Sequence, residues 1–306
     1  MAKKNRIRES QGIHDGSRVG DFFITAAALL VMVITLYPMY YVLVISFSGA
    51  NHAAAMDVYF WPKDFQLDSY RLIVLDSAMW RSYGYTIFYV LGNTVLMLIT
   101  CTLGAYPLTV KNLFGRRVLV VFFLLIPMYF NGGLIPTYLL TTSLGLYDNV
   151  WVLIIPSSFS LWYIVLMRTY FHALPPSLRE SAFIDGASHF QIMTRIYVPI
   201  STPIMAVIAI YTIVNVFNSW FAAMVYVPNV KIQPLQMYLR RVLVDQSIDL
   251  KTVMTPEMAQ QMAQKQMANI QIRYAMIIFT TLPILFTYPF FQKYFVKGVM
   301  VGSLKE

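Results

Sequence analysis

Six apolar runs of 18 to 25 residues contain no Asp, Glu, Lys or Arg, although the chain carries 14 acidic and 23 basic residues among its 306. The runs are 22–46, 86–110, 118–140, 150–167, 200–224 and 274–291. A helix needs about 20 apolar residues to cross a bilayer, and a charge at the bilayer centre costs at least about 2.5 kcal/mol. The pattern therefore predicts an all-α polytopic membrane protein with six transmembrane helices.

Basic residues are spread unequally over the segments that connect these runs. With the N-terminus inside, the inner segments hold 14 Lys and Arg in 75 positions, and the outer segments hold 9 in about 97. The inner segments are 1–21, 111–117, 168–199 and 292–306, and the outer ones are 47–85, 141–149 and 225–273. Because Lys and Arg favour the cytoplasmic side, both termini are expected in the cytoplasm. The net charge of +9 then needs no nucleic-acid partner.

The composition excludes a soluble enzyme. The chain is 58% hydrophobic and 12% charged, whereas soluble domains are about 45–50% apolar and about 25% charged. Cys101 is the only cysteine, and the four histidines show no metal-binding spacing. No string fits the phosphate-binding loop G-x-x-x-x-G-K-[ST], so we expect no catalytic residue, no bound metal and no cofactor on this chain.

The outer segment 225–273 is longer than a connection between helices requires, and it contains a Gln-, Met- and Ala-rich stretch. Pro256 at a first turn followed by good helix formers predicts a helix there. Four methionines recur at near-helical spacing: Met254, Met258, Met262 and Met267. Thioether sulfur suits Cu(I), but this spacing is also typical of the apolar side of an amphipathic helix, which is the interpretation we favour.

The inner segment 168–199 contains the signals of two short helices. Pro175 and Pro176 end the preceding element, and Ser177 with Glu180 has the spacing of a capping box. Asp185-Gly186 predicts a turn, and Ser188 with Gln191 predicts a second capped helix that runs to Pro199. Phe183, Ile184 and Phe190 would then project as apolar side chains. This helix-turn-helix is typical of a protein-docking site.

The same segment resembles the EAA motif of ABC importer permeases. The matching residues are Glu180-Ser181-Ala182-x-x-Asp185-Gly186-Ala187, followed by Ile196-x-x-Pro199. Ser181 and Val198 depart from the usual Ala and Leu. Residues 131–138, 144–146, 218–221 and 288–298 resemble the carbohydrate-uptake permeases of the maltose type, in particular the LplC-like group.

This resemblance implies the type I ABC importer permease fold in a bacterial cytoplasmic membrane. It further implies a second homologous permease subunit, two ATP-binding subunits that carry ATP and Mg²⁺, and an extracytoplasmic sugar-binding protein. The ATPase-coupling residues would be Glu180, Ser181, Ala182, Asp185, Gly186, Ala187, Ile196 and Pro199. The chain is then divided into an N-terminal cytoplasmic segment 1–21, a first helix 22–46, a permease core 86–296 with coupling loop 175–199 and outer loop 225–273, and a cytoplasmic tail 297–306.

A sugar pathway needs amides, hydroxyls and aromatic faces and no charge. The candidates among the residues of the apolar runs are Asn93, Asn131, Tyr211, Asn215, Asn218 and Trp220. Polar side chains of this kind also join helices to one another, so packing is the competing interpretation. Two alternatives to sugar import remain: a permease for another solute, since the motif concerns the ATPase and not the cargo, and a membrane scaffold without a pathway.

Overall fold

The computed structural model describes residues 18–110, 113–244 and 267–286, and this part of the chain is mainly helical and contains no strand. The helices are α1 (Arg18–Ser46), α2 (Ala50–Ala55), α3 (Asp68–Leu75), α4 (Ser77–Ala105), α5 (Arg116–Tyr129), α6 (Leu134–Ser143), α7 (Leu161–Ala173), α8 (Pro176–Ile184), α9 (His189–Ile200), α10 (Thr202–Asn218), α11 (Phe221–Tyr226), α12 (Leu235–Val244) and α13 (Met267–Phe286). The chain divides into two compact units, Met1–Ser69 with Gln260–Ala275 and Tyr70–Ala259 with Met276–Glu306.

In the first unit, α1 exposes apolar side chains over most of its length, as a helix in lipid requires. The segment that follows it is folded back by backbone hydrogen bonds from Gly49 N to Lys63 O (2.9 Å) and from Gln66 N to Phe47 O (3.0 Å). Gln271 Nε2 donates to Ser48 O at 2.6 Å. These contacts fix the segment after α1 against the first half of α13.

The fold of this segment also contains a cluster of charges. His52 places Nδ1 3.0 Å from an Asp57 carboxylate oxygen and Nε2 3.1 Å from an Asp64 carboxylate oxygen. Lys63 Nζ lies 3.0 Å from Asp57 Oδ2. The hydrogen bond from Lys63 lowers the pKa of Asp57, and the contact with His52 lowers it further, while desolvation opposes both.

The second unit is built on α4. The side chain of Asp76 caps this helix by accepting from Ala78 N at 2.8 Å. Buried side chains then recur every three or four residues, so that one face of α4 is covered along its length by α7, α10 and α12. A Cβ at Gly92 would lie 3.1 Å from Ile154 Cδ1, and one at Gly104 would lie 3.1 Å from Ile164 Cδ1. These glycines let neighbouring segments approach the helix closely.

Three of the six runs are not straight helices. Among the described residues, Gly20–Ser46, Ser77–Thr109 and Met267–Phe286 are helices long and apolar enough to cross a membrane. The other three candidates are bent pairs: Arg116–Tyr129 with Leu134–Ser143 at 118°, Val150–Ser158 with Leu161–Ala173 at 44°, and His189–Ile200 with Thr202–Asn218 at 78°. The described residues thus contain up to six spans, as predicted, if each bent pair is counted as one span.

The sharpest bend has a local cause. Gly133 adopts φ +83°, a conformation that a side chain disfavours, and its N–H donates to Asn131 Oδ1 at 2.8 Å. The run 118–140 therefore breaks between Tyr129 and Leu134. Hydropathy does not reveal this break, because the broken segment contains no charge.

Several predicted boundaries also shift. The run starting at residue 86 belongs to a helix that begins at Ser77. Its first turns contain Arg81 and therefore lie outside the charge-free run. The run starting at 274 belongs to a helix that begins at Met267, and residues 287–291 lie outside the described part of the chain. Residues 1–17, the loop residues 245–266 and the tail 297–306 lie outside it as well, together with the predicted helix start at Pro256.

The first prediction concerns Asn93, which ties α4 to the turns after residue 150. Its Nδ2 donates to Leu153 O (3.4 Å), Ile154 O (3.2 Å) and Ser157 Oγ. Asn93→Leu removes these donors from a buried site, and it is expected to lower the free energy of unfolding by about 1–3 kcal/mol. Thermal unfolding in detergent measures the loss.

A matched control is Asn218→Leu. Asn218 is exposed, and its Nδ2 donates only to Val214 O of the same helix at 2.9 Å. This substitution is expected to change stability by no more than about 0.5 kcal/mol. Equal effects of the two substitutions would contradict the role given to Asn93.

The second prediction concerns pH. Because the folded-state pKa of Asp57 is lowered, its charged form stabilises the 47–66 segment above about pH 4, and the contribution is lost as the pH falls through the lowered value. Hydrogen exchange at the amides of Gly49 and Gln66, corrected for the intrinsic rate, should show protection declining in acid. Asp57→Asn should reduce protection already at pH 7. Protection that stays constant from about pH 6 to about pH 3 would refute the prediction.

Candidate functional site

The coupling loop forms two helices, as the sequence predicts, but the first begins differently. Helix α8 starts at Pro176 after Pro175, and no side chain caps it. The capping box expected from Ser177 and Glu180 is therefore wrong: proline at the first position needs no N–H partner and sets the start by itself. Glu180 is exposed on the second turn of α8.

The end of α8 is a Schellman motif. Gly186 adopts φ +77°, its N–H donates to Phe183 O at 3.0 Å, and Ala187 N donates to Ala182 O at 2.9 Å. The turn predicted at Asp185-Gly186 is confirmed. The second box is confirmed too, because Ser188 N donates to Gln191 Oε1 at 2.8 Å and Gln191 N donates to Ser188 Oγ at 3.3 Å.

The motif residues divide into an outer and an inner set. Glu180, Ser181, Asp185, Gly186 and Pro199 are exposed, Ala187 and Ile196 are half-buried, and Ala182 is buried. The apolar side chains expected to project do so, with exposed fractions of 42% for Phe183, 87% for Ile184 and 66% for Phe190. The loop therefore presents an acidic and apolar surface on a fixed backbone.

This loop is attached to the end of α4. The Tyr106 hydroxyl lies 3.3 Å from His189 Nδ1, and the His189 ring packs edge-on against Phe183 at 4.9 Å between centroids. Arg179 Nη1 donates to Thr109 O at 3.4 Å. These contacts hold α8 and α9 against the end of α4.

A cavity of about 170 Å³ lies beside the middle of the same helix. It is bounded by α4, α6, α7, α10, α11 and the turns of residues 150–158. The side chains that offer polar groups to it are Thr86, Tyr89, Asn93, Thr137, Thr141, Ser157, Tyr163, Thr212, Asn215, Ser219 and Tyr226. Among the residues that the structure describes, no Asp, Glu, Lys, Arg or His lines it. The cavity suits a ligand that is polar and binds through hydrogen bonds.

One acceptor in this cavity has no partner within the described structure. Asn93 is fully buried, its amide nitrogen is engaged, and its Oδ1 makes no hydrogen bond. A buried acceptor without a partner costs about 1–3 kcal/mol, which the surrounding packing must offset.

The structure brings together two of the six residues proposed for the pathway. Asn93 and Asn215 line the cavity. Asn131 lies in the bend between α5 and α6, Asn218 bonds to its own helix, and Tyr211 is exposed on α10. Trp220 precedes α11, between the cavity residues Ser219 and Ala222. Their roles in a pathway stay predictions.

Sequence reasoning missed the hydroxyl-bearing side chains of the cavity. Thr86, Tyr89, Asn93 and Met97 follow one another at helical spacing on α4, and Thr137 and Thr141 do so on α6. This spacing was readable from the sequence. The spacing did not indicate that these faces of α4 and α6 border the same cavity.

No group of three His, Cys, Asp or Glu side chains in residues 18–110, 113–244 and 267–286 has a metal-binding arrangement. Of the four methionines considered for Cu(I), only Met267 belongs to the described structure, where it begins α13. The other three methionines of the Cu(I) hypothesis lie outside the described residues.

Comparison with known proteins gives a consistent family. Residues 117–301 match the family model described as "binding-protein-dependent transport system inner membrane component". Protein LplC of Bacillus subtilis (strain 168) is 37% identical over 89% of this chain and 90% of its own length. The polygalacturonan/rhamnogalacturonan transport system permease protein YtcP of the same organism is 31% identical over 94% of this chain and 99% of its own length.

Solved structures agree in fold. A chain of a bacterial ABC transporter involved in the import of the acidic polysaccharide alginate has a TM-score of 0.82 and 32% identity, and the match covers 92% of this chain and 99% of that chain. These findings confirm the resemblance and the fold class inferred from the coupling motif. The chain belongs to the binding-protein-dependent transport system inner membrane components, the membrane-embedded permeases of ABC importers.

Proposed function

We propose that this chain forms, together with a second related permease, the membrane pathway of an ABC importer for a carbohydrate. The observation that carries the proposal is the cavity lined by hydroxyl and amide side chains, with no charged side chain among the described residues that border it. Sugars donate hydroxyl hydrogen bonds and present C–H faces, which suit the phenol rings of Tyr89, Tyr163 and Tyr226. Relatives named for polygalacturonan/rhamnogalacturonan and for alginate support a saccharide cargo.

The energy for import comes from partner subunits. The exposed Glu180 and the apolar side chains of Phe183, Ile184 and Phe190 form the surface on which an ATPase subunit docks, with ATP and Mg²⁺ held by that subunit. Because the coupling loop is bonded to Tyr106 and Thr109, ATPase closure reaches the helix that lines the cavity. An extracytoplasmic binding protein delivers the sugar, and loop 225–273 is the proposed contact for it. The solved structure of an alginate ABC transporter includes such a periplasmic protein.

The test is reconstitution of the whole importer in vesicles with its second permease, ATPase subunits and binding protein. An array of neutral and acidic oligosaccharides, with a peptide and a polyol as non-sugar solutes, is screened for uptake and for stimulation of ATP hydrolysis. Stimulation by a saccharide is expected. Stimulation by the peptide or the polyol alone would favour the non-sugar permease, and an assembly without any ATPase subunit would favour the scaffold.

The third prediction tests the cavity. Asn215→Leu removes an amide that lines it, and sugar uptake is expected to fall about threefold to tenfold for the loss of one or two hydrogen bonds. Thr142→Val is the control, because Thr142 is exposed, lies outside the cavity and donates to Tyr138 O of its own helix at 2.8 Å; it should leave uptake unchanged. Uptake that falls equally in both variants would remove Asn215 from the pathway.

The fourth prediction tests coupling. Gly186→Pro cannot adopt φ +77° and removes the N–H that donates to Phe183 O, so the Schellman turn is lost and sugar-stimulated ATP hydrolysis should be abolished. Membrane insertion is expected to persist. Gly186→Asn is the control, because Asn tolerates this conformation, and it should keep most of the stimulation. A fully coupled Gly186→Pro importer would contradict the role of the loop.

A further inference from the structure

An arginine and a tryptophan form an exposed pair beside the cavity. The guanidinium carbon of Arg240 lies 5.1 Å from the centroid of the Trp220 ring, within the range of a cation–π contact. Both side chains are exposed, and Trp220 keeps 42% of its surface accessible. Within the described residues, the ion pairs are those of the 52–64 segment, and no carboxylate neutralises Arg240.

Both members of the pair are held close to the cavity lining. Trp220 lies between Ser219 and Ala222, which line the cavity, and α12 begins directly after Pro234, which also lines it. Arg240 is six residues beyond Pro234, about 9 Å along a helix. Trp220 thus adjoins cavity-lining residues in the chain, and Arg240 lies over its ring; this position is called the rim of the cavity.

Helix α12 is fixed to α4 by two polar contacts. Leu235 N donates to Thr86 Oγ1 at 2.8 Å, and the Tyr238 hydroxyl donates to Asp76 Oδ2. Burial, and then the hydrogen bond to Asp76, raise the pKa of Tyr238, so that this hydroxyl remains a neutral donor. Since Arg240 follows Tyr238 by half a turn, its position over Trp220 is set by a rigid element.

The cavity itself offers no positive charge, so a negatively charged sugar has no counter-charge inside it. A guanidinium binds a carboxylate through two parallel N–H donors, and it retains these donors while it stacks on an aromatic ring. We propose that Arg240 and Trp220 form a recognition site for a uronate residue of an acidic oligosaccharide. The guanidinium donates to the carboxylate, and the accessible part of the indole contacts the sugar ring.

This inference rests on the proposed function, because it presumes a carbohydrate cargo. It adds that the cargo carries carboxylates and that the charge is recognised at the rim, while the hydroxyls are recognised in the cavity. The other role open to an exposed arginine in loop 225–273 is contact with the binding protein, and the experiment separates the two.

The fifth prediction uses the reconstituted importer with trigalacturonate and its neutral counterpart galactotriose. Arg240→Gln is expected to lower uptake of trigalacturonate about tenfold, the loss typical of one charged hydrogen-bonded contact. Arg240→Lys keeps the charge and should recover part of the uptake. Arg71→Gln removes an exposed cation outside loop 225–273 and outside the cavity lining, and it should leave uptake unchanged. Affinity for the binding protein is measured in parallel for each variant.

The outcomes distinguish the two proposals. Trigalacturonate uptake that is unaffected by Arg240→Gln, or wild-type uptake of galactotriose alone, overturns the uronate site and leaves carbohydrate import standing. Weaker docking of the binding protein to Arg240→Gln, with the response to both sugars reduced equally, assigns Arg240 to docking and also overturns the site. A wild-type importer that responds to no saccharide of the array overturns both.

Discussion

The second unit depends on the buried face of a single helix. Helix α4 carries a buried or cavity-lining side chain at every third or fourth position, and α7, α10 and α12 pack on it. In a bilayer such packing has no hydrophobic driving force of its own and relies on close contact and on hydrogen bonds between helices. Gly92 supplies the close contact, and Asn93 supplies the hydrogen bonds next to it. The same helix borders the cavity along its middle and the coupling loop at its end.

The sequence predicted the features that depend on neighbouring residues alone or on the cost of placing a charge in hydrocarbon. Excluding charge from apolar runs located every span candidate, because an ionised side chain in hydrocarbon is costly wherever it lies. The turn at Gly186 was predictable because a glycine after a short helix has one common use. It failed at Gly133, where φ +83° breaks an apolar run, and at Ser177, where the proline before it made a cap unnecessary.

The residues that line the cavity were harder to predict from the sequence than those of the coupling loop. Its residues come from α4, α6, α7, α10, α11 and the turns of residues 150–158, and nothing in one sequence states which faces meet. Asn93 was a candidate because it is a polar residue in an apolar run, and it does line the cavity. The sequence did not show that its amide nitrogen donates to the backbone carbonyls of residues 153 and 154, or that its amide oxygen has no partner in the described structure. Asn218 has the same side chain and was selected for the same reason, but it bonds within its own helix.

The separation of neutral cavity and charged rim follows from the cost of desolvation. An unpartnered amide oxygen such as that of Asn93 costs about 1–3 kcal/mol when buried. The packing of the surrounding helices can offset a cost of this size. A buried guanidinium without a counter-ion would cost several kcal/mol and would also hold an anionic sugar too firmly to release it. Placed over Trp220 at an exposed position, Arg240 remains hydrated until the carboxylate arrives. A permease that moves an acidic sugar through a low-dielectric interior therefore recognises charge before entry and hydroxyls within.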